Sequence, residues 1–385
     1  MKVLLTAFGL SALIAVAAGF IAIPLLKKIG FGQNILSYVK EHDYKSGTPT
    51  VGGIIFAFAC IVVYFLFRTD ENKLSSVCAA VFGAYLIVGF IDDFVKIRFC
   101  RNEGLNPIQK TVFEITVAAV VSVFAYTRGL TRVTIPFTDV SVNLKGWYIP
   151  LCALVFVATT NSVNLTDGLD GLAGGVTYVY LLSFAALVYL QTQNGKTDYP
   201  MNAEYENVVL FCVTLSGAIV GFLFFNTYKA KVFMGDTGSL ALGGAVAIGG
   251  ALSGNILYIP IIGITYVASS ISVILQVAYF KMSGGKRIFL FFRRFFQPVE
   301  RVRFVGIKSV GKTRLFARVH SVERKILTNY VILFAHRNGY FGGLSRGDYA
   351  DGARFRNIHS QIREVFVNVI AVFERRYNLS SVRNF

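Results

Sequence analysis

The chain has 385 residues, 54% of them hydrophobic and only 15% charged, with a mean hydropathy of +0.58. A soluble chain of this length would divide into two or three domains and carry far more charge. Repeated apolar runs of bilayer-spanning length instead predict one all-α, polytopic integral membrane bundle.

In chain order, the predicted spans lie near 3–26, 51–67, 74–91, 111–127, 148–160, 172–190, 207–226, 238–253 and 257–280. The fifth is short, but residues 148–163 carry no charge, so tilt or local thinning of the bilayer completes it. The first exceeds the length of a signal-peptide core and reads as an uncleaved span. The five cysteines (Cys60, Cys78, Cys100, Cys152, Cys212) form no CxxC pair, and four fall within apolar runs. They are predicted to be small buried hydrophobes.

With the N-terminus outside, the inner loops before residue 281 hold Lys27, Lys28, Lys40, Lys45, Lys96, Arg98, Arg101, Lys110, Lys229 and Lys231. The outer loops hold Arg68, Lys73, Arg128, Arg132, Lys145 and Lys196. The excess of basic residues on the inner loops sets this orientation. It places three acidic clusters on the cytoplasmic side: Asp92-Asp93 in GFIDDFVK, Asp167 and Asp170 in NSVNLTDGLDGLAGG, and Asp236 in VFMGDTGSLALGG. Charge at the edge of bilayer depth is costly unless it faces water, a partner or a metal. Three such clusters on one face predict an active site for a charged, soluble substrate.

Each cluster has its own chemistry. Adjacent carboxylates such as Asp92 and Asp93 repel, which favours one of them as a base. Lys96 falls one turn beyond Asp92, placed to bind an anion or damp that repulsion. Asn161, Asn164, Asp167 and Asp170 recur every three residues, a spacing that drifts slowly around a helix or lines a looser turn. The glycines at 168, 171, 174 and 175 permit close backbone approach there. Asp236 opens a span, and a lone carboxylate with phosphate oxygens nearby is a usual way to hold magnesium. The amides at the start of that span are also positioned to receive a phosphate. Phe233 reads either as a stacking surface for a base or as an interface anchor. In YKSGTPTVGG, Lys45 and the Thr-Pro-Thr turn offer a cation and hydroxyls.

The C-terminal region differs in composition. Residues 281–385 carry 21 of the 38 basic residues and 6 of the 21 acidic ones. No run there is long enough to span a bilayer, and the basic-aromatic character suits an anionic membrane surface, not nucleic acid. GIKSVGKT at 306–313 matches a P-loop pattern, but no strand–loop–helix setting surrounds it, and it reads as chance.

Together, KSGTPTVGG, GFIDDFVKIRFCRNEGLNPIQK, NSVNLTDGLDGLAGG, FNTYKAKVFMGDTGSLALGG and GKRIF resemble the polyprenyl-phosphate sugar-1-phosphate transferase superfamily (glycosyltransferase family 4). The likeness is strongest to its phospho-N-acetylmuramoyl-pentapeptide transferase family and runs from residue 1 to about 290. It implies a ten-helix inner-membrane enzyme, commonly a homodimer, with a cytoplasmic Mg²⁺-dependent site. Its substrates would be UDP-MurNAc-pentapeptide and undecaprenyl phosphate. Asp92 and Asp93 would activate the lipid phosphate or organise the site, and Asp236 would bind magnesium. Lys45, Thr50, Lys96, Lys110, Asn164, Asp167, Asp170, Asn226 and Phe233 would line the nucleotide and phosphate pocket.

The likeness stops after GKRIF, where such enzymes continue with a histidine-rich loop and a tenth span. This chain reads LFFRRFFQPVERVRF instead. A UDP-N-acetylglucosamine transferase and a catalytically impaired paralogue therefore stand as the rival readings.

Overall fold

The computed structural model describes residues 2–32, 47–68, 75–99, 104–138, 140–193, 202–227 and 229–283. Lys45, Cys100, the GKRIF stretch, the P-loop-like string and the rest of the basic region fall outside the described residues. What is described is an all-α bundle: α1 (Lys2–Ile29), α2 (Gly53–Phe67), α3 (Ser75–Arg98), α4 (Pro107–Thr127), α5 (Tyr148–Thr166), α6 (Leu172–Gln193), α7 (Asn202–Asn226), α8 (Gly235–Leu252), α9 (Ile259–Ile262) and α10 (Ile264–Met282). Seven of these, α1, α3, α4, α5, α6, α7 and α10, are long and apolar enough to cross a membrane.

Small residues let the helices approach. The buried positions of α1 are Ala7, Ser11, Ala15, Gly19 and Ile23, a stripe repeating every fourth residue. That stripe meets Gly217 and Gly221 of α7, where a side chain would collide with the carbonyls of Phe8 and Ala12. Close backbone packing of this kind joins helices where lipid removes the hydrophobic incentive. Aromatic rings tie α2, α3 and α7, with Phe211 edge-on to Tyr64 at 5.4 Å and to Phe82 at 5.9 Å. The four described cysteines are free and buried, as their apolar setting predicts.

Three features depart from the expected spans. The ninth is broken into α9 and α10 at Gly263, where a Cβ would meet the Tyr266 ring and the Ile259 carbonyl oxygen. A two-stranded antiparallel hairpin, β1 (Arg132–Thr134) and β2 (Ser141–Asn143), links α4 to α5, with Arg132 opposite Asn143. Helix α3 runs on to Arg98, so Asp92 and Asp93 lie within the helix and not at its end.

Helix α8 is distinct. Every residue from Thr237 to Leu252 is buried, and the helix packs against α3 and α5. It forms the axis of the bundle, and its N-terminus carries Asp236 into the space where α3, α4 and α5 converge.

Candidate active site

Local sequence fixes the frame. Helix α4 opens with a capping box: Asn106 accepts from Ile108 N at 3.2 Å, and Gln109 accepts from Asn106 N at 3.1 Å, with Pro107 in the first turn. This cap, with its pre-set proline, fixes the start of α4 and hence the position of Lys110. Helix α5 ends at Asp167, whose amide bonds the Asn164 carbonyl at 3.1 Å.

Two loops distant in sequence are laced together beside this frame. Phe233 N donates to Pro49 O, Gly52 N to Phe233 O and Gly53 N to Met234 O, at 2.8, 2.9 and 3.0 Å. Between them Val51 sits at φ +67, a conformation that is strained for a β-branched residue and held by the bonds on either side. The lacing brings Thr50 against Gly235, itself at φ +73, where any Cβ would run into the Asp93 carboxylate and the Thr50 hydroxyl.

Asp236 is the hub. Its Oδ2 accepts from Lys110 Nζ at 2.7 Å and from Lys96 Nζ at 2.9 Å, while its Oδ1 accepts from Asn164 Nδ2 at 2.8 Å. The same Asn164 amide nitrogen lies 2.8 Å from Ser239 Oγ, a group not singled out from sequence. Burial opposes the charge on Asp236. The hydrogen bond it shares with Asp92 and the ammoniums of Lys110 and Lys96 nevertheless hold its carboxyl well below the usual carboxylate range.

The paired aspartates have different surroundings. Asp93 Oδ1 accepts from Asp236 N at 3.2 Å; its Oδ2 accepts from Thr237 N at 2.9 Å and from the Thr237 hydroxyl at 2.6 Å. Asp93 therefore caps α8 from the side, taking the amides of Asp236 and Thr237 in its first turn. Asp92 Oδ1 accepts from Leu105 N at 2.9 Å. Its Oδ2 pairs in charge with Lys96 Nζ at 2.6 Å, yet this buried oxygen receives no bond of hydrogen-bonding geometry.

Lys45, also expected at the site, falls outside the described residues. Asp167 sits one turn beyond Asn164, where partial burial and the Asp236, Asp93 and Asp170 carboxylates push its carboxyl well above the usual range. Asp170 accepts from Ala230 N at 3.4 Å. Asn226 is spent on backbone, accepting from Gly171 N and donating to Val232 O. Glu114, one turn below Lys110 on α4, is a buried carboxylate not singled out from sequence. Its signal was present: a lone acid inside an apolar span.

Residues 74–253 match the glycosyl transferase family 4 model. A phospho-N-acetylmuramoyl-pentapeptide transferase of Clostridium perfringens (strain SM101 / Type A) is 43% identical over 284 residues, covering 74% of this chain and 84% of that protein. The chain belongs to the phospho-N-acetylmuramoyl-pentapeptide transferase family. Its likeness to the transferase of Caldanaerobacter subterraneus subsp. tengcongensis is also 43%, over 73% of this chain and 84% of that one. The Clostridioides difficile (strain 630) transferase is 41% identical, over 72% and 83%. Within this family of transferases, a carboxylate hub flanked by two lysines suits a reaction that brings two anions together.

Proposed function

We propose that the chain transfers phospho-MurNAc-pentapeptide from UDP-MurNAc-pentapeptide to undecaprenyl phosphate, releasing UMP. An oxygen of the lipid phosphate bonds to the sugar-bearing phosphorus, and the bond from that phosphorus to the UMP oxygen breaks. The observation that carries this reading is the convergence of Lys96, Lys110 and Asn164 on Asp236, at the mouth of a bundle of membrane-spanning helices.

The residues fit a hard divalent cation. Asp92, Asp93 and Asp236 each offer an oxygen, all within 4.8 Å of one another, and the buried Asp92 Oδ2 lies 2.6 Å from the Lys96 ammonium without a bond of hydrogen-bonding geometry. Carboxylate oxygens are the ligands that Mg²⁺ prefers. Asp236 would hold Mg²⁺, which when bound supplies charge compensation at the diphosphate.

The chain's own residues do the rest. Lys96 and Lys110 meet the phosphate oxygens and offset their repulsion. Asp92, paired with the Lys96 ammonium, takes the proton from the lipid phosphate, while Asp93 holds the N-terminus of α8 and so places Asp236. Asn164 fixes the orientation of the Asp236 carboxylate. Thr50, Asp167, Asp170 and Phe233 border the nucleotide, and Asn226 shapes its wall through the backbone. The site opens to the cytoplasm, where the soluble donor is made, and the lipid acceptor enters from the bilayer.

The test is UMP release by detergent-solubilised full-length protein given undecaprenyl phosphate and either UDP-MurNAc-pentapeptide or UDP-N-acetylglucosamine. Release with the first donor alone, lost on chelation and restored by Mg²⁺, is expected. Release with UDP-N-acetylglucosamine alone, or with neither donor, would overturn the assignment. Chemical crosslinking in native membranes tests the homodimer that the family resemblance implies.

A further inference from the structure

Glu114 is 1% exposed, inside α4, and has no role in the chemistry described above. A buried carboxylate within a membrane-spanning helix is costly, and an apolar side chain of similar size would pack there at less cost. Glu114 Oε2 accepts from Asn161 Nδ2 on α5, and Glu114 Oε1 has no hydrogen-bond donor. The backbone carbonyl of Glu114 accepts from the Tyr85 hydroxyl on α3 at 3.3 Å.

The spacing connects this pair to the hub. Lys110 is four residues before Glu114 and Asn164 is three after Asn161, so each site residue shares a helix face with one member of the pair. The two helices are thus joined by two rungs. The outer rung is Lys110–Asp236–Asn164, with the lysine on Oδ2 and the asparagine on Oδ1. The inner rung is Glu114–Asn161.

We propose that Glu114 is a positioning residue: its hydrogen bond with Asn161 clamps α4 to α5 and keeps Lys110 and Asn164 on opposite oxygens of Asp236. The claim rests on the proposed transfer reaction, because only there does the placement of Lys110 and Asn164 set a rate. Without the inner rung the helices are free to part by a fraction of an ångström. A misplacement near 1 Å costs on the order of 10²-fold in rate.

The experiment compares Glu114→Leu, Glu114→Gln and Asn161→Ala in the full-length, detergent-solubilised protein. Steady-state UMP release and the thermal unfolding midpoint, with and without Mg²⁺, are measured for each. Glu114→Leu and Asn161→Ala are expected to lower kcat by about tenfold or more with the donor KM changed less than about twofold. Glu114→Gln keeps an oxygen to accept the Asn161 bond and is expected to restore kcat to within about threefold of wild type. If Glu114→Leu does not fold, Asn161→Ala carries the test, since Asn161 is exposed and its truncation leaves no cavity. Wild-type kcat in Asn161→Ala, or a Glu114→Gln variant closer to Glu114→Leu than to wild type, would overturn the clamp. Should the wild type itself release no UMP, the transfer reading fails; the clamp is then judged by whether Asn161→Ala reduces the Mg²⁺-induced rise in midpoint and Glu114→Gln does not.

Discussion

Asp93 on α3 accepts from both the amide and the hydroxyl of Thr237, 144 residues further along the chain. One carboxylate thereby stitches the third helix to the first turn of the eighth, beside the residue on which the site converges. The consequence is a division of labour between two adjacent aspartates.

That division is testable by stability. Asp93→Asn places an amide NH₂ against donors and leaves at least one buried donor without an acceptor, costing about 1–3 kcal/mol. Its unfolding midpoint in detergent should drop by several degrees, whereas Asp92→Asn should stay close to wild type. Equal midpoints for the two variants would show that Asp93 is not the cap described above.

Asp92→Asn should instead fail in turnover, and by an amount that depends on pH. The lipid phosphate has a second pKa of about 6. Below that value the acceptor carries a proton that a base must remove; above it the dianion needs no such help. The defect in kcat should therefore be large below about pH 6 and shrink as pH rises towards about 8.5, with donor binding little changed. A loss of the same size at every pH would assign Asp92 to positioning and not to proton removal.

Asp236→Asn removes the charge on which Lys96, Lys110 and Asn164 converge. Turnover should fall on the order of 10²-fold or more, while the protein still inserts and elutes as a folded species. The Mg²⁺-dependent rise in its unfolding midpoint should vanish with it. Normal turnover at an unchanged magnesium requirement would remove Asp236 from the reaction.

Orientation has its own measurement. A cysteine in place of the exposed Ser141, in the hairpin between α4 and α5, should react with an impermeant thiol reagent added to intact cells. One in place of the exposed Lys229, between α7 and α8, should not. The reverse pattern would put the carboxylate hub on the outer face.

Sequence alone was a good guide wherever the signal was local. Apolar runs located the helices because burial in lipid is read residue by residue, and Lys96 was tied to Asp92 by one helical turn. Asn164 stood out by its three-residue spacing and Lys110 through the family resemblance, but nothing in either signal says that they reach the same carboxylate. The capping role of Asp93, the Glu114–Asn161 rung and the break at Gly263 were not legible. Each depends on which helix lies opposite, and that is a property of the fold and not of the segment. Helix α8 was legible as an apolar segment but not as the central one, since its all-round burial is set by its neighbours.

The burial of α8 bears on how the protein is made. Glycine pairs at 243–244 and 249–250 bring α5, α3, α6 and the segment after α8 close to its backbone, at the expense of apolar surface. The helix also falls outside the seven that length and composition would commit to a bilayer. A segment of this kind gains little from lipid and is retained in a membrane mainly through contact with other helices. Its entry should therefore wait on α3 and α5, already inserted, to receive it. Translation of a chain truncated just after α8 tests the point: weakening the α3 or α5 surface should let α8 slip out of the membrane, although α8 itself is unchanged. The helix that begins with Asp236 would then enter the bilayer only once the rest of the site is in place to meet it.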